Sequence, residues 1–145
     1  MRLSMNQISR ICLSLLSNPG YISRYLTESV LNRKSRRKPL DLELPWFPYA
    51  AIDFLHAYLD PDMNVCEYGC GGSTLLFSER VKAVYAIEAN PKWFTSVSQR
   101  LKENSVSNVR IGLCPFDLED VAKFKKSDYV HAIPDDESDV IVVDG

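Results

Sequence analysis

An α/β fold on an open parallel sheet, with helices on both faces, is predicted by three features of this 145-residue chain. The first is a short apolar run that meets an acid and opens into glycines: Asn64-Val-Cys-Glu67-Tyr68-Gly69-Cys70-Gly71-Gly72-Ser73-Thr74. It reads as strand, glycine loop and helix, the unit that begins nucleotide-binding sheets. The second is Val84–Ile87, an apolar run closed by Glu88. That acid stands about 20 residues past the glycines, where such sheets hold ribose hydroxyls with an acceptor-only carboxylate. The third is Asp139–Val143, which ends in Asp144-Gly145. Its core has no polar alternation, as expected of a strand buried on both faces.

The N-terminal stretch reads differently from the rest. Ile8, Ile11, Cys12, Leu15 and Leu16 recur at helical spacing, so residues 4–17 are expected to form an amphipathic helix. Asn18-Pro19-Gly20 ends it, and residues 21–31 suit a second helix. Arg33-Lys-Ser-Arg-Arg-Lys38 follows as a basic run, which reads first as a solvated linker. The alternative is weak contact with an anionic membrane surface, a phosphorylated substrate or a partner. Residues 1–40 carry eight Lys and Arg against the single acid Glu28, a charge of +7, and the remainder carries −9. Residues 1–44 are therefore expected to be a helical, basic extension, and 45–145 the ligand-binding domain. The acidic body leads to the expectation that nucleic acid is not a partner.

Hydrophobic content of 46 % is ample for a core. No run reaches transmembrane length, and no secretory leader is evident. The four cysteines, Cys12, Cys66, Cys70 and Cys114, lack zinc spacing, so free thiols in a reducing cytoplasm are expected and no metal is.

Within the body, Ile52, Leu55 and Leu59 form the inner stripe of a helix over roughly 49–59, closed by Asp60-Pro61. Trp46 and Tyr49 fit either core packing or a site wall. The glycines that follow β-like Val65 and Cys66 permit positive φ and close ligand approach. Ser73 and Thr74 open a helix that runs to Arg80, whose N–H groups face the same space. Asn90-Pro91 is a helix start, with Asn as N-cap and Pro at the first helical position. Trp93, Val97 and Leu101 then face the sheet, and Trp93 reads as core in preference to a ring platform. Residues 108–113 form a third strand, followed by Cys114–Asp117. Asp117, Glu119 and Asp120 suit a helix N-terminus. Tyr129–Ile133 is a short helical turn, and Pro134–Ser138 leads into the last strand. His56 and His131 read as surface residues.

Taken in order, Glu67-Tyr-Gly69-Cys-Gly71-Gly-Ser-Thr74, then Tyr-Ala-Ile-Glu88, then Asp-Val-Ile-Val-Val-Asp144-Gly, resemble the motifs of the class I S-adenosylmethionine (SAM)-dependent methyltransferases. The resemblance runs from about Trp46 to Gly145. It implies a Rossmann-like sheet of seven strands in the order 3-2-1-4-5-7-6, of which this chain supplies the first four. It also implies that the sheet is completed by a missing C-terminal half or by a partner chain. The cofactor implied is SAM, held by Glu67, Tyr68, Gly69, Cys70, Gly71, Gly72, Ser73, Thr74, Glu88, Ala89, Asp117 and Asp144. The glycines pass under its methionine portion, Glu67 orients that portion, and Glu88 holds the ribose diol. Asp144 binds the ammonium or the acceptor, or acts as a base. The expected acceptor is a small molecule or glycan.

Two physical points separate SAM from a dinucleotide. The third glycine of the dinucleotide fingerprint is absent, with Thr74 nearby; that glycine serves packing around a pyrophosphate, which SAM lacks. The strand ends carry Glu67, Glu88, Asp117 and Asp144, and an acidic crevice suits a sulfonium cation and repels a pyrophosphate. A nicotinamide oxidoreductase is thereby disfavoured. A non-catalytic SAM-binding module and an aminopropyltransferase of the polyamine-synthase type remain alternatives.

Overall fold

The structure, a computed structural model, describes residues 20, 23, 40, 45, 47–116, 121–132 and 138–143. The chain divides into two compact units, Met1–Lys38 and Pro39–Gly145, and every element below belongs to the second. The helices expected over 4–17 and 21–31, the basic run 33–38, Cys12 and Trp46 lie outside the described residues.

Helix α1 spans Tyr49–Tyr58. The Pro48 carbonyl accepts from Ala51 and Ile52 N–H at its start, and the chain turns extended at Leu59, just before the Asp60-Pro61 step. Strand β1 is Asn64–Tyr68, helix α2 is Gly72–Ser78, and strand β2 is Ala83–Glu88. Helix α3, Pro91–Glu103, starts at the predicted Asn90 cap, whose Oδ1 accepts from Lys92 N at 2.9 Å and Trp93 N at 3.3 Å. Strand β3 is Val109–Leu113. Two single turns, α4 at Val121–Phe124 and α5 at Asp128–His131, precede β4 at Val140–Val143. Asn108, just before β3, accepts from Val84 N at 2.9 Å through its carbonyl, while its side-chain amide donates to the Ser78 and Val81 carbonyls at 2.9 and 3.0 Å, below α2.

The four strands form one parallel sheet in the order β3-β2-β1-β4. Right-handed crossovers through helices are the usual way to connect such strands. Strand β1 lies between β2 and β4: the chain runs outward from β1 through β2 to β3, then crosses back to β4 on the other side of β1. That reversal leaves a crevice at the carboxyl ends. Register brings Tyr68 beside Ile87 and Val143, and Glu88 beside Leu113, along one rim.

Alternation along the strands divides the core. Val65 and Val84, with half-buried Val109, Val140 and Val142, meet Leu76 and Phe77 of α2 and Leu55 and Leu59 near α1. Ala86 and Ile111 meet Leu75, Val97 and Leu101 on the same side. On the other face Cys66 and Ile87 pack under Tyr129, with Tyr68, Tyr85, Phe116 and Phe124 around them. The fold is therefore the expected α/β sheet covered on both faces.

Strand β4 departs from expectation. Its all-apolar sequence predicts burial on both faces, yet Ile141 and Val143 are 55 % and 74 % exposed. Val140 and Val142 reach the α1–α2 cluster, whereas among the described residues the cluster on the opposite face, with Phe124 of α4 and Tyr129 of α5, lies over Cys66 of β1 and Ile87 of β2.

Phe77 is fully buried at the centre of the larger cluster. Phe77→Ala is expected to lower unfolding free energy by about 3–5 kcal/mol, as for other core aromatic truncations. Urea unfolding of parent and variant checks this, and a difference below about 1 kcal/mol would contradict the packing.

Candidate functional site

The site grows from the loop between β1 and α2. Gly69 has φ of 96°, a left-handed value that side chains resist, which is why the turn begins on glycine. Gly71 is extended, at φ 176°. A Cβ there would rest 3.7 Å from the Trp93 indole nitrogen, an ordinary contact, so neither strain nor space demands glycine at that position.

Each backbone N–H from Gly69 to Gly71 has a partner inside the protein. Gly69 N donates to the Ile87 carbonyl at 2.8 Å. Cys70 N donates to Glu88 Oε2 at 3.1 Å. Gly71 N donates to Thr74 Oγ1 at 2.8 Å. The loop's outward donors are thus spent on strand β2 and on its own helix.

Two buried carboxylates sit beneath the loop. Glu67 is fully buried, and Glu88 is 7 % exposed. Glu67 Oε1 accepts the Ser73 hydroxyl and Oε2 accepts Thr74 Oγ1 at 2.6 Å. Glu88 Oε2 also accepts the Cys70 thiol at 3.3 Å, and Oε1 accepts Asn90 N at 2.7 Å. Each Glu88 oxygen still has lone-pair capacity, because a carboxylate offers about four acceptor directions.

The electrostatics follow. Burial, then the charge of Glu88 and its hydrogen bond, then the charge of Glu67, push the Cys70 thiol far above the ordinary thiol range. Burial, then the nearby Glu88 charge, raise the Tyr129 phenol as well. Both groups stay protonated, and the negative potential at the strand rim falls on any ligand seated there.

Trp93 and a ring cluster frame the crevice. The Trp93 indole N–H donates to the Cys70 carbonyl, while its rings pack with Cys70, Leu75 and Val97. On the far side Tyr68, Phe116, Phe124 and Tyr129 lie with ring centroids 4.5–6.3 Å apart, and the Tyr68 hydroxyl donates to the Val130 carbonyl at 3.1 Å. Ala89 and Cys114 border this cluster.

Of the expected site residues, Glu67 to Thr74, Glu88 and Ala89 come together at the carboxyl ends of β1 and β2. Asp117 and Asp144 lie outside the described residues, as do Glu119 and Asp120. The sequence reading missed Asn90 as a partner of Glu88. It also missed Trp93 as a brace on the loop, although tryptophan in the first turn after an Asn cap was the available signal. Among the described residues no three His, Cys, Asp or Glu side chains gather as a metal site, and Cys66, Cys70 and Cys114 are free thiols.

No family model and no curated protein matches the chain. Solved structures do. One is a dimethyladenosine transferase from Plasmodium falciparum, at 17 % identity over 68 % of this chain and 32 % of that one, with TM-score 0.47. Another is an rRNA methylase from Streptococcus thermophilus, at 25 % identity over 55 % and 44 %, with TM-score 0.41. A third is a protein-L-isoaspartate O-methyltransferase, at 21 % identity over 66 % and 28 %, with TM-score 0.48. These structures are class I SAM-dependent methyltransferases. The chain spans less than half the length of each, and the likeness is one of fold.

The class I comparison corrects one expectation. Nucleic acid was excluded as a partner on the ground of the acidic body, yet the similar structures include enzymes named for dimethyladenosine and rRNA. Net charge sums over all groups, and here two of the body's acids, Glu67 and Glu88, are buried beneath the loop and contribute little to the outer surface. A phosphate contact depends on the local surface, so the total excludes nothing. Concerning membranes, no helix among the described residues is long and apolar enough to cross one.

The raised Cys70 thiol has a consequence for stability. Folded Cys70 keeps a proton that the unfolded chain releases above about pH 8.5, so its contribution is complete below that value and is lost as pH rises beyond it. Parent and Cys70→Ser, compared by urea unfolding between pH 8 and 10, are expected to diverge, the parent losing up to about 1.4 kcal/mol more per pH unit. Parallel pH profiles would contradict the buried thiol.

Proposed function

We propose that the crevice at the carboxyl ends of β1 and β2 binds SAM and that the chain belongs to a methyl-transferring enzyme. The observation that carries this reading is the pairing of spent loop amides with two buried carboxylates. A phosphate-binding loop needs free N–H groups and a positive field. Here Gly69, Cys70 and Gly71 donate inward, and Glu67 and Glu88 make the field negative. A ligand with a sulfonium and an ammonium group, and no phosphate, fits that chemistry.

In this reading Glu88 accepts the ribose hydroxyls with the lone pairs left beside Cys70 and Asn90. The loop from Gly69 to Gly72, with Tyr68, Ser73 and Thr74, forms the floor under the methionine portion, and Glu67 orients it from beneath. Ala89 borders the base with the aromatic cluster. Asp117 and Asp144 are assigned to the same rim, Asp144 also as a candidate base. SAM supplies a methyl group on a sulfonium already primed for in-line displacement. The protein's task is then to orient and desolvate, and effective molarity accounts for much of such a rate. A base matters only where the acceptor must lose a proton early.

Removing the ribose acceptor tests the assignment. Glu88→Ala is expected to weaken SAM binding by about 1.5–3 kcal/mol, the range for hydrogen bonds to a charged group. Equilibrium dialysis with labelled SAM measures it, alongside a thermal melt to confirm folding. Unchanged affinity in a folded variant would remove Glu88 from the ribose site.

A further inference from the structure

On the reading of the crevice as a cofactor site, we propose that Glu67 is a positioning residue that shapes the glycine loop through the Thr74 hydroxyl and does not touch the ligand. The chain of contacts is continuous. Glu67 Oε2 accepts Thr74 Oγ1 at 2.6 Å, and the same Oγ1 accepts Gly71 N at 2.8 Å. A hydroxyl has one proton and two lone pairs. With its proton committed to the carboxylate, Oγ1 can only accept from Gly71. The carboxylate therefore dictates the polarity of the Thr74 hydroxyl, and the hydroxyl fixes the direction of the Gly71 peptide.

Burial excludes the direct role. Glu67 has no exposed surface and lies behind Ser73 and Thr74, themselves 3 % and 0 % exposed. Both of its oxygens face those hydroxyls. The Gly71 peptide in turn sits against the Trp93 indole, whose N–H holds the preceding carbonyl, that of Cys70. The loop is pinned from below by Glu67 through Thr74 and from the side by Trp93. Releasing either pin leaves a buried donor or acceptor unmatched, which forces the peptide to move.

Trp93 makes the loop observable, since Trp46→Phe leaves it as the sole tryptophan of the chain. In that background, three quantities are read for the full chain: Gly71 amide exchange by NMR, Trp93 emission, and the dissociation constant for S-adenosylhomocysteine. Thr74→Val is expected to speed Gly71 exchange at least tenfold, shift the emission and weaken binding about tenfold. Thr74→Ser, which keeps the hydroxyl, is expected to match the parent in all three. Glu67→Leu is expected to speed Gly71 exchange and shift the emission as Thr74→Val does, and the double variant to be no worse than Glu67→Leu alone in these two readouts, since the two act in series on the loop. Multiplying effects in the double variant, or parental exchange and emission in Thr74→Val, would overturn the proposal. Should Glu67→Leu not fold, the Thr74 pair decides by itself. A parent chain that ignores S-adenosylhomocysteine would defeat the cofactor reading, while the two ligand-free readouts still decide the role of Glu67.

Discussion

The carboxylate of Glu67, sealed beneath the glycine loop, is the constraint on which the rest of the site depends. A buried carboxyl cut off from water costs free energy unless hydrogen-bond partners meet its oxygens. Ser73 and Thr74 supply those partners from the first turn of α2. The acid at the end of β1 thus specifies what the next helix must begin with. The loop between them cannot adopt another path without stranding those buried oxygens. A strand, a turn and a helix are welded by one side chain.

Glu88 repeats the arrangement from the neighbouring strand. It reaches across the sheet to Cys70 and down to Asn90, so the end of β2 and the start of α3 are tied to the same loop. Parallel register places both acids on one rim. Their difference in exposure separates their tasks. Glu67 is fully enclosed, whereas Glu88 retains a small exposed surface and spare lone pairs; on the proposed reading the first acts through the protein and the second meets the ligand.

Much of this was legible in the sequence because it is carried by local chemistry. The Asn90-Pro91 start of α3, the strand ahead of Glu67 and the spacing to Glu88 were each written in adjacent residues, whereas the sheet order came from the family resemblance and agrees with the order found. The sheet neighbours of β4 were foreseen, but its exposed face was not. Val140–Val143 reads as buried because all its residues are apolar, but cover is a tertiary property, and Ile141 and Val143 stand exposed. The inward use of the Cys70 and Gly71 amides was equally hidden. It depends on contacts between residues up to 18 positions apart, Cys70 with Glu88, and glycine spacing alone suggests the opposite, a loop open to anions. Trp93 looked like ordinary core; its polar tip on the loop became visible only in three dimensions. The acidic total charge misled about partners because a sum carries no information on which acids lie inside.

The central claim is that this rim holds a positively charged methyl donor and rejects a phosphate-bearing dinucleotide. Isothermal titration of the chain with SAM and, separately, with NAD tests it most directly. Saturable heat with SAM, and none with NAD at the same concentrations, is the result expected. Saturable binding of NAD together with indifference to SAM would contradict the account at its root.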